Sequence, residues 1–196
     1  MSRVGGPKRL VGVLALQGAF VAHQRALEAA GATTRQVRQP GDLAGIDALV
    51  MPGGESTTMS RLLTTSGLFD DVKALVGDGL PVFGTCAGMI LLASEVIDGR
   101  PDQLSFSAID MSVQRNGYGR QVDSFETDLD VVGLEKPFHA VFVRAPKVVA
   151  VGANVEVLAE YDGVPVVARQ GHVMVASFHP ELTADARLHA RFLQEV

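Results

Sequence analysis

Short aliphatic runs that end in glycine, alternating with stretches of helical spacing, dominate the first half of the chain. Residues 10–16 form a near-continuous apolar run closed by Gln17-Gly18, and a helical pattern over residues 20–30 then stops at Gly31. The same strand, turn and helix recur twice. Residues 48–51 run into Pro52-Gly53-Gly54 before a polar helix start at Ser56-Thr57-Thr58, and residues 81–83 run into Gly84-Thr85-Cys86 before a helix over residues 87–95. Strands that are apolar on both faces need a covering layer on each side. Alternation of such strands with helices therefore predicts an α/β fold, with a mostly parallel central sheet and helices on both faces.

The second half has shorter apolar segments, at residues 140–143, 155–160, 164–168 and 173–178, joined by turns at Gly152, Asp162-Gly163 and Gln170-Gly171. Asp-Gly between apolar runs signals a hairpin, so antiparallel strands are expected at one side of the sheet. A final helix is expected over about residues 183–195. Residues 98–119 are the least regular stretch and read as a surface loop. No internal repeat or linker interrupts the pattern, and one domain over 1–196 is the economical organisation.

Composition narrows the partners. With 47% hydrophobic and 20% charged residues, the chain lies in the ordinary globular range. A formal net charge of -5 and the lack of any Lys/Arg run argue against a nucleic-acid backbone or an anionic membrane as main partner. A small molecule or another protein is left. No stretch approaches the roughly 20 apolar residues of a membrane helix, and the amino terminus reads as the approach to a first strand and not as a signal peptide. The single cysteine, Cys86, excludes an intrachain disulfide and a Cys-rich zinc site. The expected compartment is the cytoplasm, where thiols stay reduced.

Three segments could carry chemistry. In Gly84-Thr85-Cys86-Ala87-Gly88 a nucleophile stands between small residues at a strand-to-helix junction, as in the Gly-x-Ser-x-Gly elbow of hydrolases. Glycines allow the sharp turn and the close approach of neighbouring chains, and the dipole of the following helix favours a thiolate. A buried structural cysteine is the bland alternative and the commoner fate of a lone Cys. The run at 173–178 ends in His179-Pro180-Glu181, where residues two apart on an extended chain point the same way. His179 can thus face a nucleophile while Glu181 holds its other nitrogen; a satisfied His beside a solvated Glu is the alternative. Pro52-Gly53-Gly54-Glu55-Ser56 could expose backbone amides as an oxyanion hole, or form a plain turn with Ser56 as helix cap. His23, His139, His172 and His189 have no partner at metal-ligand spacing and read as structural or surface residues.

Together these motifs resemble the class I glutamine amidotransferases, a flavodoxin-like family whose glutaminase domain matches essentially the whole chain. The resemblance is strongest to its pyridoxal 5'-phosphate synthase branch. It rests on Leu16-Gln17-Gly18, Pro52-Gly53-Gly54-Glu55-Ser56-Thr57-Thr58, Gly84-Thr85-Cys86-Ala87-Gly88, Arg115-Asn116-Gly117-Tyr118-Gly119-Arg120-Gln121 and Ser177-Phe178-His179-Pro180-Glu181-Leu182-Thr183. One departure is Gly117, where the family more often has a larger residue.

The resemblance implies a catalytic triad of Cys86, His179 and Glu181, and glutamine binding by Gly54, Glu55, Ser56, Arg115, Val143 and Arg144. It implies hydrolysis of L-glutamine to L-glutamate and ammonia through a cysteine thioester, with the amides of Gly54 and Ala87 as candidate oxyanion donors. That chemistry requires no metal or organic cofactor. The implied partner is a separate synthase subunit, in a hetero-oligomer, that builds pyridoxal 5'-phosphate from a pentose phosphate and a triose phosphate. Two rival readings are the glutaminase subunit of another amidotransferase, or a γ-glutamyl-type hydrolase, and a catalytically idle regulatory module of the same fold.

Overall fold

The computed structural model describes residues 8–100, 102–115, 117 and 124–196. Asn116 and residues 118–121 of the Arg115-to-Gln121 motif lie outside them, as do residues 1–7. The elements run β1 (Leu10–Leu14), α1 (Phe20–Ala29), β2 (Thr33–Val37), β3 (Ala48–Met51), α2 (Ser56–Thr65), α3 (Leu68–Gly77), β4 (Val82–Thr85) and α4 (Ala87–Leu92). They continue with β5 (Ala93–Val96), β6 (Ile109–Gln114), β7 (Ser124–Leu129), β8 (Phe138–Val143), β9 (Lys147–Val151), β10 (Glu156–Tyr161), β11 (Val164–Gln170), β12 (Val173–Ala176) and α5 (Arg187–Leu193).

Seven strands form the central sheet in the order β10-β11-β12-β4-β3-β1-β2. The run from β12 to β2 is parallel, and β10 and β11 add antiparallel pairs at one edge. The Asp162-Gly163 hairpin signal is accurate. Both residues have positive φ, 52° and 72°, which suits the turn to the right-handed twist of its strands.

Side-chain alternation sorts the core into two layers. Leu49 and Met51 of β3 and Val173 and Val175 of β12 join one apolar cluster with Met59 and Leu63 of α2 and Val72 of α3. Val50, Phe83, Met174 and Ala176 face the other way, onto Leu27 of α1 and Leu188 and Phe192 of α5. Helices therefore cover both faces, as the two-sided apolar strands require. No helix among the described residues is long and apolar enough to cross a membrane.

Four boundaries differ from the sequence expectation. The helix after Cys86 ends at Leu92, because Ala93 turns extended and opens β5, which pairs with β6. The supposed surface loop over 98–119 contains β6, whose residues alternate buried and exposed. The strand expected to reach residue 178 ends at Ala176. The final helix begins at Arg187, after a 3₁₀ turn at Pro180–Leu182, since a proline cannot supply the N–H that would continue regular pairing.

Strand order explains how distant motifs meet. In the parallel register Ala176 lies beside Thr85 and Met51 beside Gly84. The segments after β12, β4 and β3 thus leave the sheet side by side at its carboxyl edge, where open α/β sheets hold their ligands.

Candidate active site

The elbow has the tight packing its glycines imply. A Cβ at Gly84 would stand 2.7 Å from the backbone of Gly88, and one at Gly88 would stand 2.2 Å from the carbonyl oxygen of Met51. Between them Cys86 has φ 49° and ψ -104°, a strained region for a residue with a side chain. Its amide donates to the Ala176 carbonyl at 2.8 Å, which pins the nucleophile to β12. Sγ lies 4.0 Å from the Val143 carbonyl oxygen.

His179 leaves β12 beside this elbow, and its amide donates to the Val141 carbonyl at 2.9 Å. Its Nδ1 hydrogen-bonds Oε1 of Glu181 at 2.8 Å. Burial opposes the charge on His179, but hydrogen bonds and charge attraction from Cys86 and Glu181 outweigh it and hold the imidazole up at about 10. Burial likewise opposes the Glu181 carboxylate, yet the bond to His179 and the neighbouring imidazoles leave its pKa below the ordinary value. The resting site therefore holds a His179 imidazolium, backed by a carboxylate and facing Cys86.

These shifts carry a pH prediction. A histidine raised in the folded state keeps its charge through neutral pH and loses it as pH rises through about 10. A depressed glutamate keeps its charge down to below its ordinary value of 4.5. Glutamate release, which needs the His179 proton for the departing nitrogen, should accordingly hold across neutral pH and fall as pH rises through about 10. A limb near 7 would contradict the pairing.

Gly54, Glu55, Ser56, Cys86, Ile90, Arg115, Val143, Arg144 and His179 line one cavity of about 310 Å³. Every residue expected at the site from the sequence is there except Glu181, buried behind His179, and Ala87, buried as the first residue of α4. Ile90 was not anticipated. It lies one turn along α4 from Cys86, and a single apolar helix residue gives no local signal of facing a pocket.

The glycine loop is held from two sides. Gln17 Oε1 accepts from the amide of Glu55 at 3.1 Å, and Gly54 has φ 151°. Glu55, not Ser56, caps α2: its carboxylate accepts from the amides of Thr57 at 3.1 Å and Thr58 at 2.7 Å, a reach the shorter serine one position later lacks. Burial resists that carboxylate, but the Thr58 and Thr57 bonds hold it down at about 2. Arg115 Nη2 pairs with Glu55 at 2.9 Å across the cavity mouth. Arg144 follows β8 with φ 43°, another strained position at the rim. Gly117 also has a packing reason, since a Cβ there would stand 2.1 Å from Cβ of Lys147.

Among the other histidines, His139 sits exposed between Glu126 and Asp128, each at 2.9 Å, and His172 bonds the Val76 carbonyl at 2.8 Å. His23 and His189 are fully buried, and His23 Nε2 lies 3.3 Å from Glu181 Oε2.

Residues 13–196 match the family described as the SNO glutamine amidotransferase family. The chain belongs to that family. Its relatives include the pyridoxal 5'-phosphate synthase subunit PdxT of Mycobacteroides abscessus, 55% identical over 95% of this chain and 97% of that protein. The protein of the same name from Thermosipho africanus is 53% identical over 95% of this chain and 98% of that protein. Among solved structures, a glutamine amidotransferase superposes with TM-score 0.89 at 50% identity, covering 94% of this chain and 97% of that one. A chain in the structure of PurLQS from Thermotoga maritima shares the fold at TM-score 0.67 and 14% identity, covering 96% of this chain and 97% of that one. As an SNO glutamine amidotransferase, the chain has the α/β fold expected from its alternating strands and helices.

Proposed function

We propose that this chain is the glutaminase subunit of a pyridoxal 5'-phosphate synthase, with residues 1–196 as one catalytic domain. The observation that carries this reading is the convergence of Cys86 and His179, the latter bonded to Glu181, on the wall of a cavity rimmed by both charge signs. Relatives at 53–55% identity that bear the synthase-subunit name support the assignment.

Glu55, Arg115 and Arg144 at the rim suit the ammonium and carboxylate of free glutamine, while its side-chain amide reaches Cys86. The thiolate adds to the amide carbon, and the oxyanion is received by the amides of Gly54 and Ala87. Donors of this kind are worth about 3 kcal/mol each by removal. His179 gives its proton to the departing nitrogen, so ammonia leaves and a glutamyl thioester remains. The now neutral His179 takes a proton from water, hydroxide displaces the thiolate, and glutamate departs. Ser56 and the Val143 backbone position the substrate in this scheme.

The ammonia passes to a separate synthase subunit within a hetero-oligomer. We place the protein in the cytoplasm, where its lone thiol stays reduced. Glutamate release should be measured with and without the synthase subunit. Release that rises with the partner is the expected result. Release indifferent to it would assign the chain to another ammonia-using system.

A further inference from the structure

Glu181 has one carboxylate oxygen committed to His179, while Oε2 is buried without a hydrogen-bond partner among the described residues. A bare carboxylate oxygen in a dry interior is costly. The group facing it is His23 of α1, whose Nε2 stands 3.3 Å from Oε2 and 3.1 Å from Thr85 Oγ1. The other nitrogen of His23, Nδ1, bonds His189 Nε2 of α5 at 2.9 Å. Both rings and the Glu181 side chain are fully buried, and neither ring takes part in the chemistry described above.

Burial keeps both rings neutral. Desolvation outweighs the pull of Glu181 and holds His23 down at about 4 and His189 at about 3. Each ring then has one N–H, and only one placement suits the surroundings. His189 Nδ1 has no partner among the described residues, so a proton there would be an orphaned buried donor. A bare lone pair costs less. The proton therefore sits on His189 Nε2 and is donated to His23 Nδ1. His23 in turn must carry its proton on Nε2, which bonds Thr85 and stands 3.3 Å from the free oxygen of Glu181.

We propose that His23 is a positioning residue of the triad: its Nε2–H steadies Glu181 at the oxygen that His179 leaves free, and His189 sets the tautomer that presents that N–H. The proposal rests on the triad reading above. It extends the chain of oriented groups from Cys86 through His179 and Glu181 to two helices on the far face of the sheet. Outer partners that orient a reacting histidine behave in the same way at metal sites.

The test uses the full chain in complex with its synthase subunit. Glutamate release is followed across pH for the wild type, His23→Leu, His23→Gln, His189→Leu and Cys86→Ala. In His23→Leu, kcat should fall about 10- to 100-fold, the range typical of lost orienting partners, while the KM for glutamine stays near wild type. The acid limb of kcat/KM should move to higher pH, because Glu181 loses a neighbour that favours its anion. The groups facing His23 among the described residues are Thr85 of β4, His179 and Glu181 after β12, and His189 of α5.

His23→Gln keeps an N–H donor and should recover most of kcat and the wild-type limb. His189→Leu should move the limb the same way by less, and it serves if His23→Leu does not fold. Wild-type kcat in folded His23→Leu, an unmoved limb in His189→Leu, or a loss that His23→Gln does not restore would overturn the proposal. Cys86→Ala separates the two levels. An active Cys86→Ala sinks the triad itself, whereas an inactive one beside a fully active His23→Leu sinks this inference alone.

Discussion

Cys86→Ala is expected to lower glutamate release by about 10⁴-fold or more, the scale seen when a covalent nucleophile is removed from an assembled triad. The fold should survive, because Cys86 is a small side chain whose backbone, and not its sulfur, makes the bond to Ala176. Thermal melting near wild type together with lost activity is the outcome that assigns Cys86 to chemistry. Retained activity would return the residue to the bland role of a buried structural cysteine.

The second large effect belongs to a residue with no side chain. A Cβ at Gly53 would stand 2.3 Å from Cε1 of His179 and 3.2 Å from Cβ of Cys86. Gly53→Ala must therefore push the imidazole off its line between Cys86 and Glu181, or displace the loop. A misplacement of about 1 Å can cost on the order of 100-fold in rate, and a loss of that size is expected, with glutamine binding less affected. Comparing kcat and KM in Gly53→Ala with wild type checks it. A rate within a few-fold of wild type would mean that the loop yields freely and that glycine is not required by close approach.

The parts of the fold that were legible in sequence are those where pattern and physics coincide. β1, β3, β4 and β12 are buried on both faces and end in glycine, proline or polar residues, so an unbroken apolar run marks each of them. β2 escaped notice because Thr33-Thr34-Arg35-Gln36 is polar and lies at the sheet edge, where only Val37 is buried. β6 does alternate, as Ile109, Met111 and Val113 point inward, but its irregular flanks hid a period of only six residues. The Ala87 helix was read too long because Ala93 to Val96 is as compatible with a helix as with a strand, and pairing with β6 decides the matter.

The site divides in the same way. Cys86, His179 and the Gly53-Gly54 loop sit on local motifs at the carboxyl ends of adjacent strands, so sequence order plus one topological rule brings them together. Glu55 as the cap of α2 was missed because Ser56 is the commoner capping type, and only the geometry shows the longer carboxylate reaching two amides. His23 had no local signal at all. Its partner His189 lies 166 positions away, on a helix that meets α1 only through their packing on one face of the sheet.

Under the proposed function, ammonia released at Cys86 becomes the nitrogen of pyridoxal 5'-phosphate. The most direct measurement supplies glutamine carrying heavy nitrogen in its side-chain amide to the chain and its synthase subunit, with the pentose and triose phosphates, and weighs the product. Heavy nitrogen is expected in pyridoxal 5'-phosphate from the wild type and none from Cys86→Ala. Unlabelled product from an active wild-type complex, or labelled product from Cys86→Ala, would contradict it.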